Sequence, residues 1–288
     1  MPNSFRPSRR ALLASLLPPP AGCLAAQEDA IVEPRMRLAV PADGVRRVAL
    51  TLDACSGAVD MRILGTLLRL GLPATIFVTA RWLQNNAEAV ALLRANPLLF
   101  AVQNHGARHV AAVLGGGRIF GQAVAGMAEV VRAEVAGGAA SLQAAGFPPP
   151  HWYRGATALY SLAALPVIEA MDSAIAGFSL NGDEGASLPA AAVARRVAAA
   201  TTGEVIIAHL NQPGRSSGAG LVAGLTALHA AGVEFIMLDA FPATPLDCRR
   251  RDSELSATRR CVPGRLCRSA SRTCVARRIH PCPPRPSA

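Results

Sequence analysis

From residue 46 to residue 240 the chain alternates short β-rich apolar runs with amphipathic stretches, and this regularity limits the fold more than any other feature. Residues 48–53 read as a strand, residues 61–70 as a helix ended by Gly71, and residues 74–79 as a second buried strand. A helix over 87–94 stops before Pro97, and a strand over 98–102 leads to His105. A long Ala-rich helix follows within 122–145, then a short strand at 152–154 and a helix around 159–171 that Pro166 starts or kinks. Strands at 174–181, 204–210 and 233–239 complete the series, with helices at 190–200 and 221–231 between them. Alternation of this kind predicts an α/β fold with a parallel sheet or barrel and helices outside it.

The polar residues gather at one end of that scaffold. Asp53, His105, Arg154, Asn181 with Asp183, and His209 each stand at or just past the C-terminal end of a different predicted strand. In parallel α/β architectures that rim is where loops converge and sites are built. Singly, each has an ordinary structural reading: Asp53 as a helix cap, Arg154 in a surface ion pair, His209 as a hydrogen-bonded core histidine. His105 and His109 are four residues apart, and on a helical turn that spacing would put both rings on one face, within reach of one divalent cation.

Outside this region the composition changes. The formal charge of +10 comes from the ends: eleven arginines against Asp252 and Glu254 from Cys248 onward, and Arg6, Arg9 and Arg10 at the start. With no lysine and 4% aromatic residues, the sequence argues against a nucleic-acid partner. Residues 1–30 are expected to be an export signal, because Ser8-Arg9-Arg10-Ala11-Leu12-Leu13 resembles a twin-arginine leader followed by an apolar run too short to span a bilayer. That places the protein in the periplasm or cell envelope, with cleavage between about Gly22 and Ala26, or lipidation at Cys23 as the alternative. No other stretch approaches transmembrane length. Residues 241–288, rich in Cys, Pro and Arg, are expected to be a disordered tail beyond the last core strand, which makes truncation near Pro242 harmless.

In order and spacing, Thr51-Leu52-Asp53-Ala54-Cys55, His105-Gly106-Ala107-Arg108-His109, Trp152-Tyr153-Arg154, Asn181-Gly182-Asp183 and Ile206-Ile207-Ala208-His209 resemble the motifs of the polysaccharide deacetylase family, with its NodB-type domain. The resemblance covers about residues 46–240. It implies a distorted (β/α) barrel of about seven parallel strands and metal-assisted removal of an acetyl group from an acetylated glycan. By the same resemblance, Asp53 is the catalytic base, Arg154 orients it and His209 is the general acid. His105 and His109 bind a divalent metal, expected to be zinc, and Asn181 and Asp183 support the site.

Where the family usually carries a second, metal-binding aspartate this chain has Ala54, and Gly106 replaces the usual Ser or Thr of the second motif. Asp60 either supplies the missing oxygen ligand or caps the helix that follows it. The residue types suit amide hydrolysis, which needs a polarised carbonyl, a base for water and an acid for the departing amine. A serine or cysteine nucleophile fits less well: no Gly-x-Ser-x-Gly elbow is present, and the direction of Cys55 is left to packing. An O-acetyl esterase, or a glycan-binding protein without turnover, is the alternative.

Overall fold

The computed structural model describes residues 30–250. The expected leader, and the expected tail from residue 251 onward, lie outside the described residues. The chain begins with β1 (Ile31–Leu38), β2 (Arg47–Ala54), α1 (Met61–Leu70), β3 (Ala74–Val78), the short helices α2 (Ala80–Asn85) and α3 (Ala87–Ala95), and β4 (Phe100–Asn104). Strands β5 (Ala111–Leu114), β6 (Arg118–Ile119) and β7 (Gln122–Gly126) form a small separate sheet, after which comes α4 (Ala128–Ala144). Next are β8 (Trp152–Tyr153), β9 (Tyr160–Ser161), α5 (Leu165–Glu169), β10 (Ala174–Ile175) and β11 (Leu180–Asn181). The chain finishes with α6 (Ala190–Ala198), β12 (Glu204–His209), α7 (Ser217–Ala230), β13 (Glu234–Ile236) and β14 (Ala243–Arg250).

The expected α/β architecture is present as a curled, mixed sheet ordered β10-β8-β4-β3-β2-β12-β1-β14. From β10 through β12 every pairing is parallel, with β11 added to β12 and β13 to β2. Strand β1 runs antiparallel to β12, β9 and β14.

The period of two along β2 sorts the molecule into an inside and an outside. Leu50, Leu52 and Ala54 face the helices, in a cluster with Ile63, Leu64 and Leu67 of α1, Val193 and Val197 of α6, and Leu221 and Leu225 of α7. Each fully buried aliphatic side chain there contributes about 1.5–3 kcal/mol. Ala49 belongs to the inner cluster with Phe77, Val205, Ile207 and Ile236. The buried polar residues Thr51 and Asp53 alternate on that same face. Helix α1 is bounded as the sequence indicates: the Asp60 carboxylate accepts the Arg62 N–H at its start, and the Gly71 N–H reaches the carbonyls of Leu67 and Leu68 at its end.

Several expectations need correction. The helix expected over 159–171 is two 3₁₀ turns, the short β9 and a five-residue α5 with Pro166 in its first turn. The strand expected over 174–181 is two separate pieces, β10 and β11. The fold also exceeds the 46–240 segment at both ends, since β1 precedes it and β14 lies within the stretch assigned to the tail. Backbone pairing explains β14, with Leu38 opposite Ala243 and Arg35 opposite Leu246. A ladder of main-chain hydrogen bonds needs no apolar periodicity in the strand it recruits. Among the described residues no helix is long and apolar enough to cross a membrane.

Strand β1 buries Ile31, Val32, Met36 and Leu38, so its pairing with β14 covers the edge of a packed strand. Truncation after Pro242 is therefore expected to lower the melting temperature by about 3 °C or more, on the order of 1 kcal/mol. Truncation after Arg250, which keeps β14, is the reference for that difference. Equal melting of the two truncated proteins in calorimetry would show that β14 adds nothing.

Candidate active site

Arg154 anchors the rim of the sheet from below. Its side chain is fully buried, and Nη1 donates to Thr51 Oγ1 at 2.9 Å and to Asp53 Oδ1 at 3.0 Å. Nε donates to the Ala176 carbonyl at 3.3 Å and Nη2 to the Gly177 carbonyl at 3.1 Å, while the guanidinium lies 4.3 Å from the centre of the Phe77 ring. Those two carbonyls lie in the gap between β10 and β11, so the break in the expected strand turns backbone acceptors toward the arginine. Burial alone would push the Asp53 carboxyl up. The positive charge of Arg154, helped by His105 and His209, outweighs it and leaves Asp53 below the usual carboxylate range.

His209 stands directly opposite Asp53 in the β2–β12 register. Its Nδ1 faces Asp183 Oδ1 at 3.0 Å, and its own N–H donates to Asp183 Oδ2 at 2.8 Å. Burial would pull this imidazole down, but the charge and hydrogen bonding of buried Asp183 hold it well above the ordinary histidine value. Asn181 lines the same cavity, and its side-chain oxygen is engaged by the Glu184 N–H at 2.9 Å in the local turn.

The histidine pair is brought together by a loop, not by the helical turn expected from the spacing. His105 directly follows β4 and His109 has φ 65°, with the rings edge to face at 5.0 Å. His105 Nδ1 is 2.6 Å from the Arg154 carbonyl. A carbonyl can only accept, so Nδ1 carries the hydrogen and Nε2 is turned toward the cavity. Cys55 Sγ lies 3.4 Å from that Nε2. Ligand atoms of Cys55, His105 and His109 all fall within 4.8 Å of one another.

Of the two readings of Asp60, the structure has the cap. Asp60 is the helix cap, paired with Arg62 at 2.6 Å, and it is absent from the residues lining the cavity. Ala54 sits among the helix-facing apolar residues, whereas Cys55, two residues after Asp53, turns inward. Burial would push the Cys55 thiol up, but the surrounding His105, His109 and His209 outweigh it and hold it well below the usual range. Two imidazoles and a thiolate-prone sulfur form a donor set that fits zinc better than a hard, oxygen-seeking cation.

Glu134 of α4, not indicated by the sequence, braces the histidine loop. Its Oε1 accepts the N–H of Arg108 at 2.8 Å and of Val110 at 3.1 Å, and its carbonyl accepts the N–H of Ala107 at 3.1 Å. Gly106 has φ +90°, and a Cβ there would lie 2.6 Å from Glu134 Oε1. The carboxylate thus occupies the space that the side chain of the more usual Ser or Thr would need. Helix α4 can approach this closely because position 138 is glycine: a Cβ there would meet Asn104 Oδ1 at 2.0 Å. Asn104 in turn accepts the Gly106 N–H at 2.8 Å and donates to the Val135 carbonyl at 2.8 Å.

Residues 41–175 match the polysaccharide deacetylase family. Among curated proteins none matches the chain significantly. The fold is similar to that of a family 4 carbohydrate esterase from Streptomyces lividans solved in complex with acetate, with a TM-score of 0.53 and 19% identity, covering 67% of this chain and 93% of that one. It is also similar to a family 4 pseudoenzyme from Bacillus anthracis, at TM-score 0.53 and 16% identity over 69% of this chain and 66% of that one. A mutant of that pseudoenzyme described as having restored enzymatic activity gives TM-score 0.53 and 17% identity over 69% and 68% of the two chains.

Replacing Glu134 with Ala strands two backbone donors, at a cost of about 1–3 kcal/mol each. The His105–His109 spacing should loosen, weakening any affinity of this cluster for a divalent cation about 10- to 100-fold in a competitive chelator titration. Glu134→Gln keeps one acceptor oxygen and should retain most of the affinity. Wild-type affinity in Glu134→Ala would remove Glu134 from this role.

Proposed function

We propose that this chain, whose residues 41–175 match the polysaccharide deacetylase family, hydrolyses acetyl groups from an N-acetylated glycan in the periplasm or cell envelope. One observation carries the reading: Asp53 and His209 occupy register-paired positions on adjacent strands, and each has its own buried orienting partner, Arg154 and Asp183. A site that only bound sugar would need neither arrangement.

Cys55, His105 and His109 are the residues that would hold a divalent metal, zinc by their chemistry. A metal there supplies Lewis acidity toward the acetyl carbonyl and lowers the pKa of water from about 16 toward about 7 in the most favourable sites. Asp53, kept ionised by Arg154, takes the proton of the attacking water. His209, kept protonated by Asp183, passes a proton from Nε2 to the amine nitrogen as the C–N bond breaks. Proton transfer of this kind is worth about 10² to 10⁴-fold. An oxygen leaving group needs that proton less, so O-acetyl esters are the natural sibling substrates of the same site.

Glycan binding without turnover is the second reading. It is favoured by Ala54, which offers no oxygen where the family carries one, and by the fold's likeness to a pseudoenzyme. Acetate release from N-acetylglucosamine oligomers by zinc-loaded protein separates the two. Release that disappears in Asp53→Asn supports deacetylation, and binding with no release from N- or O-acetylated oligomers supports the binding role.

Cys55→Ala should lower zinc stoichiometry, and cobalt-substituted wild-type protein should show a thiolate-to-metal absorption band that this variant lacks. A band that persists without Cys55 would take it out of the donor set.

The activity–pH profile should be broad. Asp53 stays ionised to lower pH than an ordinary carboxyl, and His209 stays protonated to higher pH than an ordinary imidazole. Asp183→Asn removes the charge that raises His209, so the alkaline limb should move to lower pH while the acid limb stays in place. An unmoved alkaline limb would dissociate it from His209. His209→Ala should impair amide substrates more than activated esters, and equal loss on both would count against the acid role.

A further inference from the structure

The charges lining the cavity do not cancel. The cavity has a volume of about 1070 Å³, at the upper end for small-molecule sites and large enough for more than one sugar ring. Three acids line it, and each has a cationic partner: Glu33 with Arg35 at 3.5 Å, Asp53 with Arg154 at 3.0 Å and Glu184 with Arg196 at 2.7 Å. Arg81 and Arg108 also line it, and no acid of the lining offsets them. Among the described residues Arg81 has no ion-pair or hydrogen-bond partner, and Arg108 approaches one carboxylate, Glu134, through Nε at 3.7 Å. The Arg108 side chain is 65% exposed, which leaves its terminal nitrogens toward solvent.

The two arginines belong to one wall. Arg81 is the second residue of α2, whose first N–H, from Ala80, is bonded to the Gly106 carbonyl at 3.1 Å. Arg108 stands two residues beyond that same glycine. The cavity is also lined by Phe120, 63% exposed, at the turn between β6 and β7. Its φ of 48° is a left-handed conformation that a bulky residue adopts at a cost. An exposed aromatic ring lining a cavity offers an apolar face to a pyranose ring.

We propose that Arg81 and Arg108, in a cavity that Phe120 also lines, form a subsite for a carboxylate-bearing sugar neighbouring the acetylated one, so that the substrate class is an acidic glycan. The inference rests on the deacetylase reading for which sugar is processed, but not for the binding itself. Guanidinium forks match a carboxylate in plane and in charge. A concave wall of one sign concentrates the opposite charge, more strongly at low ionic strength.

The test compares an N-acetylglucosamine tetramer with the same tetramer carrying a C6 carboxylate on one ring, by calorimetry and by acetate release. Wild-type protein should bind the carboxylated tetramer about tenfold more tightly in dilute buffer. That preference should shrink in about 0.5 M salt. In R81Q/R108Q the ratio of the two affinities should fall to about one, and Phe120→Ala should weaken both tetramers by a similar factor. Equal wild-type affinities, or a ratio unchanged in the double variant, would overturn the subsite. Preferential binding without acetate release would uphold the subsite and reject the deacetylase reading. Acetate release without preference would do the reverse.

Discussion

The ion pair between Arg154 and Asp53 is the interaction on which the rest of the site depends. Burying two charges costs several kcal/mol per ion unless every donor and lone pair is matched, and losing one partner of such a pair costs about 3–5 kcal/mol. Here the matching is supplied by Thr51, two backbone carbonyls and the Phe77 ring. The carbonyl of Arg154 also fixes the tautomer of His105. One residue therefore holds the Asp53 carboxylate ionised with its side chain and orients the His105 imidazole with its backbone. Because those contacts come from β2, β3, β4, β8 and the β10–β11 gap, the geometry of the site is locked to the curvature of the sheet.

Most of this was legible in the sequence, for identifiable reasons. Runs such as 48–53 and 204–210 are buried on both faces, and their β-branched and apolar content shows without any knowledge of pairing. Placing Asp53, His105, Arg154, Asp183 and His209 on a common rim needed the strand order of a parallel fold and nothing finer. What stayed hidden depends on contacts between distant segments. Glu134 reaches Arg108 across 26 positions from within an Ala-rich helix, and nothing local distinguishes it from a solvated glutamate. Strands β1 and β14 recognise each other through main-chain groups, which leave little trace in composition.

Cys55 is a different case, because a signal was available. Thr51, Asp53 and Cys55 follow the period of two that puts Asp53 inside, and that period also sends Ala54 to the helices. Read by aligned motif position, the chain lacks its third metal ligand. Read by strand face, Cys55 brings a sulfur beside His105 and His109 one position later. A donor set of two imidazoles and a sulfur is softer than one that includes a carboxylate, and the two suit different metals.

The contact between Gly106 and Glu134 has an evolutionary consequence. The two residues compete for one volume, since a Cβ at position 106 would fall inside hydrogen-bonding distance of the carboxylate. A serine or threonine at 106 would therefore require the Glu134 carboxylate to move away from the backbone donors it now accepts. Sequences sharing this loop are expected to carry the two positions as a covarying pair.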